Sequence, residues 1–265
     1  MLAWDRTAPA YAPLEARVRE FLEADPATYG VHFLDLASRT GFGLNALRPL
    51  PQASTVKVPI VLYLNRLVAR GVVCWNDAVA YNPETDYRGG AGALQFFAKE
   101  GSRYSLRLLS NLVITLSDNI AKAMLVRFLG ADNIRRFMAS LGASQPHVAG
   151  EEPTTALDMT IYLLGVLGLA RELPGFGCRM LDDLANTIWN EGLPGRLPRG
   201  VIVAHKEGDI TGVSDDVGIV FARRPYILSV LSEGQADIEA GFRTIAAVSE
   251  IVYDYQERLS RSSPW

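Results

Sequence analysis

The chain has 265 residues, room for one α/β domain or two interleaved lobes, and its 49% hydrophobic and 21% charged content suits a globular protein with an apolar core. A formal net charge of −3 without any basic stripe argues against a nucleic-acid partner. No run of about 18 apolar residues exists, which excludes a transmembrane helix. The three histidines, His32, His147 and His205, are too scattered for a zinc site, so neither metal nor cofactor is expected.

Residues 1–6 lack a basic segment followed by an apolar one, so no signal peptide is read there. The expectation is a cytoplasmic protein, or an exported one whose signal has been removed. Cys74 and Cys178 are the only cysteines and are expected as reduced, partly buried thiols.

In chain order, residues 11–24 read as an amphipathic helix with Leu14, Val18, Phe21 and Leu22 on one face. Residues 31–36 read as a strand, and the turn at 39–41 pairs it with 42–47 in a hairpin. A Pro-rich loop then delivers Ser54 to a long apolar helix, 55–69, stopped by Gly71. Residues 74–101 are loop-rich. Helical pattern follows over 105–129, 131–140 and 155–170, and 171–199 is mixed, with several Pro and Gly. The period then changes: 201–205, 217–222 and 227–231 are β-rich, and 237–259 closes the chain as a helix.

Strands at both ends and helices between them predict an α/β (α+β) fold. One antiparallel sheet is flanked by the N- and C-terminal helices and carries an inserted all-helical lobe. The expected division is 1–50 with 200–265 for the sheet lobe and 51–199 for the helical lobe, with a site in the cleft between them.

Three short motifs carry chemistry. In Ser54-Thr55-Val56-Lys57 the spacing of about one helical turn puts serine and lysine on one side. A serine hydroxyl needs a base, and a lysine serves only if burial or neighbouring positive charge lowers its pKa. Ser54 equally fits a plain N-cap. Ser117-Asp118-Asn119 interrupts an apolar helical run; it reads either as a new N-cap, or as a proton relay through Ser117 with Asn119 bonding substrate amide or Lys57. His205-Lys206-Glu207-Gly208 ends a predicted strand, where Lys206 is either an edge charge or a cation serving an anionic substrate group. The chain has only four lysines, Lys57, Lys99, Lys122 and Lys206, and two of them fall in these motifs.

Together the motifs resemble the Ser-x-x-Lys, Ser-Asp-Asn and Lys-Thr-Gly elements of class A β-lactamases and penicillin-binding proteins. Flanking residues 114–116, 204–205 and 216–220 are similar too, and the likeness runs from about Tyr11 to Leu259. It implies an acyl-enzyme on Ser54, with Lys57 as base, Ser117 as proton relay and Lys206 as electrostatic support. It also implies substrate contacts from Asn119, Glu207, Gly208 and Asp209, with an oxyanion hole from the N–H groups of Ser54 and Asp209. The implied partner is a small-molecule β-lactam, amide or ester.

The chain departs from that pattern twice. The loop that carries the water-activating glutamate is mostly missing, leaving Glu151 and Glu152 before Pro153; these are either first-turn helix acids or the deacylation base. Glu207 replaces the usual Thr or Ser, and an ionised carboxylate there only accepts hydrogen bonds. With Asp209 it points to a neutral or cationic substrate, unless it turns away. Three functional expectations follow: an active serine hydrolase, a penicillin-binding-like or esterase-type protein that acylates but deacylates slowly, or a non-catalytic ligand-binding or sensor domain.

Overall fold

Segments from the two ends of the chain meet in one sheet. The computed structural model describes residues 8–262; residues 1–6, read above for an export signal, lie outside them. Helix α1 (Ala12–Glu23) leads into β1 (Thr28–Asp35), β2 (Thr40–Leu44) and the short β3 (Leu50–Pro51). A 3₁₀ turn over Ala53–Val56 runs into α2 (Lys57–Ala69), so the helix expected from residue 55 begins with a tighter turn. The loop-rich stretch holds β4 (Ala78–Ala80), α3 (Pro83–Asp86), α4 (Leu94–Phe97) and β5 (Arg103–Ser105). Then come α5 (Leu106–Thr115), α6 (Asn119–Leu129), α7 (Ala131–Ser140), β6 (Pro153–Thr154), α8 (Ala156–Glu172) and α9 (Pro174–Ala185). The chain closes with β7 (Ile202–Ile210), β8 (Val213–Phe221), β9 (Tyr226–Glu233) and α10 (Ile238–Ser262).

The five long strands form one antiparallel sheet in the order β2-β1-β9-β8-β7. Both faces are covered, so the longer strands are buried at nearly every residue rather than at alternate ones, charged positions of β7 and β8 included. Alternate residues serve two cores. Val31 and Phe33 of β1, with Leu228 and Val230 of β9, pack beneath Leu14, Val18 and Leu22 of α1 and Ile245, Val248 and Val252 of α10. Leu34, Ala204, Val217 and Ile219 face the other way, into a core shared with α2, α5, α6, α8 and α9. Helix α8 lies against β1 and β9 and also packs on α2 and α9. It is buried continuously from Ala156 to Leu163, as its nearly unbroken apolar sequence requires.

Three expectations need correction. The helical pattern over 105–129 is two helices, broken at 116–118. The mixed stretch after 171 contains a full helix, α9, whose Pro174 starts it rather than breaking it. Cys74 and Cys178 are exposed free thiols, not partly buried ones. Among the described residues, no helix is long and apolar enough to cross a membrane.

Candidate active site

The chain enters the site through strained backbone. Ala53 is buried with φ of 42°, and its N–H donates to Gly150 O at 2.8 Å. That conformation tightens the 3₁₀ turn and presents Ser54 just ahead of α2. Lys57 follows at the N-terminus of that helix and is 1% exposed.

Lys57 Nζ lies 2.7 Å from Ser54 Oγ, 2.7 Å from Ser117 O, 2.9 Å from Ser117 Oγ and 2.8 Å from Asn119 Oδ1. All four partners are neutral. Burial pushes its pKa well below the usual lysine range, and the charges of Lys206 and Lys122 push it further; Asp118 and Asp209 act in the opposite sense. The hydrogen-bond inventory fits a neutral amine. Ser117 O can only accept, and so does Asn119 Oδ1, because Asn119 Nδ2 donates to Gly89 O at 3.0 Å. Two N–H bonds serve these two oxygens, which leaves the lone pair for a hydroxyl.

The break between α5 and α6 builds the opposite wall. Ser117 has φ of 54°, an uncommon value for a non-glycine residue that clusters at functional sites. Asp118, 1% exposed, caps α6 by accepting from Ala121 N at 2.9 Å. Its other oxygen accepts from Ala93 N and Leu94 N, both at 2.8 Å. It thereby moors the 89–94 loop beside Asn119. Gly92 fits because a Cβ there would lie 2.4 Å from the Asp118 carboxyl carbon.

Strand β7 supplies the third wall. The period of two puts Lys206 and Gly208 on the face toward Ser54, with His205 and Glu207 on the other. Gly208 presses so closely on the 3₁₀ turn that a Cβ would come within 2.6 Å of Ser54 N. Lys206, 1% exposed, donates to Glu207 O at 2.6 Å, and burial lowers its pKa to about 8, with Asp216, Glu207 and Asp209 opposing. Asp209 lines the cleft with Ser54.

Glu207 is turned away from the cleft. Its carboxylate accepts from Gly192 N at 2.7 Å, and it stands directly across the ladder from Asp216. Burial and the Asp216 charge raise its pKa to about 7. Asp216 accepts from Leu193 N at 2.6 Å and pairs with His205 Nδ1 at 3.0 Å. The three side chains could offer metal ligands within 4.8 Å of one another, a grouping that the scatter of histidines in the sequence concealed. Here they tie the 190–193 loop to the sheet.

The two loop glutamates separate. Neither belongs to a helix: Thr155 caps α8, and the first-turn acid of that helix is Asp158. Glu152 accepts from Val148 N at 3.1 Å and Ala149 N at 2.9 Å, and these backbone bonds hold its pKa low. Glu151 is exposed and lines the cleft. The cleft has a volume of about 660 Å³, the size of a small-molecule site. Beyond Ser54, Lys57, Asn119 and Asp209, its walls include Arg88 and Lys122. Neither was singled out from sequence, although Lys122 is one of four lysines and stands three residues after Asn119.

An antiparallel sheet joined to a helical layer, with a cleft serine hydrogen-bonded to a buried lysine at the junction, defines the β-lactamase and penicillin-binding class of fold. The chain belongs to the Beta-lactamase enzyme family, which it matches over residues 13–256. It is 20% identical to Beta-lactamase VEB-1 of Pseudomonas aeruginosa over 91% of this chain and 90% of that one. To the extended-spectrum β-lactamase PER-1 of the same organism it is 22% identical, over 95% and 90%. Among solved structures, PBP-A superposes with a TM-score of 0.87 at 27% identity, covering 97% of this chain and all (100%) of that one. A mutant of PBP-A, 28% identical over the same coverage with a TM-score of 0.87, is an acyl-enzyme complex with penicillin G.

Proposed function

We propose that this protein is a serine acyl-transfer hydrolase whose substrate is a β-lactam or a related amide or ester. The observation that carries the reading is the buried Lys57 amine, 2.7 Å from Ser54 Oγ and surrounded by neutral acceptors. Neutral Lys57 takes the Ser54 hydroxyl proton as Oγ bonds to the substrate carbonyl carbon. The resulting oxyanion faces the N–H groups of Ser54 and Asp209. As the intermediate collapses, the bond from that carbon to the leaving nitrogen or oxygen breaks. Ser117 gives its proton to the leaving atom and regains one from Lys57, leaving an ester on Ser54. Asn119, Gly208 and Asp209 shape the substrate's bed, and Lys206 keeps Lys57 neutral through its charge. In this reading the reaction cleft lies between a sheet lobe, 8–50 with 200–262 of the described residues, and a helical lobe, 51–199.

A second reading, acylation with slow deacylation, is favoured by the loop glutamates. Water must attack the ester, and it needs a base. Glu152 is occupied by two backbone N–H groups, and the exposed Glu151 remains the candidate for that task.

Labelling with a fluorescent penicillin and with a fluorophosphonate tests the proposal. The wild-type protein is expected to label and Ser54→Ala is not, with an unchanged thermal midpoint. Lys57→Met is expected to label about 10²–10⁴-fold more slowly. Persistent labelling of Ser54→Ala would overturn the assignment.

A further inference from the structure

The cleft does not stop at Asn119. It continues along α6 to Lys122 and Val126, faced by Thr85 and Arg88. A separation of three residues puts Asn119 and Lys122 on the same side of the helix, so the lysine extends the wall on which Asn119 stands. Its ammonium makes no ion pair and no side-chain hydrogen bond with a described residue. Burial lowers its pKa, with Glu151 and Glu152 acting against that effect. Arg88 is exposed and its guanidinium donates to the Tyr87 carbonyl at 2.6 Å, leaving its charge without a carboxylate partner among the described residues. Arg127, a third cation on this wall, is already neutralised by buried Asp86, with two contacts of 2.7 Å. Glu151 stands on the same wall. The arm therefore offers two cations that no carboxylate touches, against Glu151 on its wall and the more distant charge of Glu152, whose carboxylate is held by backbone N–H groups.

A half-buried lysine without a partner loses hydration and gains nothing in return. A ligand carboxylate would supply the missing charge-assisted hydrogen bond. We propose that Lys122 and Arg88 form an anion subsite that takes a carboxylate on the acyl portion of the substrate, beyond Asn119 and away from Lys206. The proposal rests on acylation of Ser54 in this cleft. With Glu151 nearby, the arm suits a monoanion rather than a dianion such as phosphate. It also reverses the sequence-based expectation of a neutral or cationic substrate, because Glu207, which prompted it, faces away from the cleft.

Two aryl esters with one leaving group, a mono-aryl adipate and the matching aryl adipamate, whose distal carboxylate is replaced by a carboxamide, test the subsite through their acylation rates, corrected for hydrolysis without protein. The adipate is expected to react about tenfold faster than the amide. The preference should shrink in Lys122→Met and in Arg88→Gln, which sits on an exposed loop, and approach parity in the double variant. The rate ratio is the readout because loss of the Lys122 charge also acts on Lys57, and that effect cancels between the two esters. Equal rates in the wild-type protein, or a ratio unchanged in the double variant, would overturn the subsite. Failure of both esters to acylate would instead count against the Ser54 reading. The subsite is then judged by calorimetry in Ser54→Ala. Adipate monoamide should bind at least tenfold more tightly than adipamide, and Lys122→Met should remove the difference. Equal binding would overturn the proposal.

Discussion

Lys57 can act as a base only while it is neutral, and two neighbouring cations help to keep it so. The acylation rate should therefore rise with pH through the lowered Lys57 pKa. Replacing Lys206 with Met removes one of those cations, so the acid limb of the pH–rate profile should move to higher pH; an unmoved limb would leave Lys206 a structural role only. Glu207 gives a stability prediction. Its carboxyl is raised from 4.5 to about 7, so the folded state binds the proton more tightly than the unfolded chain, and stability falls as pH rises between those values. Glu207→Gln retains an oxygen for Gly192 N and has no charge to bury. Urea unfolding should find the variant about 1–3 kcal/mol more stable at pH 8, with little difference at pH 4. The three motifs were legible in the sequence because Ser54 and Lys57 are one turn apart and need no distant partner to meet. The orientation of Glu207 was half legible, since strand alternation alone separates it from Lys206 and Gly208. Its partner Gly192 lies in a loop that no local pattern reveals.

At the scale of elements, the site depends on two places where regular structure gives way. The α5–α6 break puts Ser117 at φ of 54°, where a Cβ is unfavourable. Ser117→Gly and Ser117→Ala both lose the hydroxyl, but only glycine relieves the backbone. Chemical denaturation should find the glycine variant more stable than the alanine by about 1 kcal/mol. At β7, the contact between Gly208 and the 3₁₀ turn leaves no space for a methyl group. Gly208→Ala should displace Ser54 and slow labelling about 10²-fold while the protein stays folded; labelling at the wild-type rate would show that the turn yields freely. The helix missed by sequence, α9, was hidden by its glycines. A Cβ on Gly177 would lie 2.1 Å from Ala170 N, so this glycine permits close helix packing where pattern reading takes it for a loop. The glutamates at 151 and 152 were mistaken for possible helix acids for a related reason. Pro153 and Thr154 pair with β3, and that long-range pairing delays the start of α8.

Across the whole molecule, the sheet sits between two apolar cores, one under the terminal helices and one shared with the central helices. The end-to-end strand pairing was legible because the hydrophobic period changes only at the two ends. The charge of the cleft was not, because Arg88, Lys122 and Glu151 come from three separate segments. The short 144–152 loop is pinned throughout. Ser144 N and Gln145 N donate to Asp158 at 2.8 and 2.9 Å, Glu152 closes the middle, and Gln52 Nε2 reaches Ala149 O at 2.7 Å. Of this loop's two glutamates, Glu152 is held by backbone N–H groups and only Glu151 is exposed in the cleft. Glu151→Gln should therefore lengthen the life of an acyl adduct, followed by its decay in intact-mass spectra, without changing how fast the adduct forms. The central claim, that Ser54 becomes acylated, is tested most directly by mass spectrometry of the protein after brief exposure to penicillin G. The account predicts a gain equal to the whole penicillin, localised by peptide fragmentation to Ser54 and absent from Ser54→Ala. An adduct on any other residue, or none on the folded wild-type protein with either penicillin G or an activated ester, would contradict it.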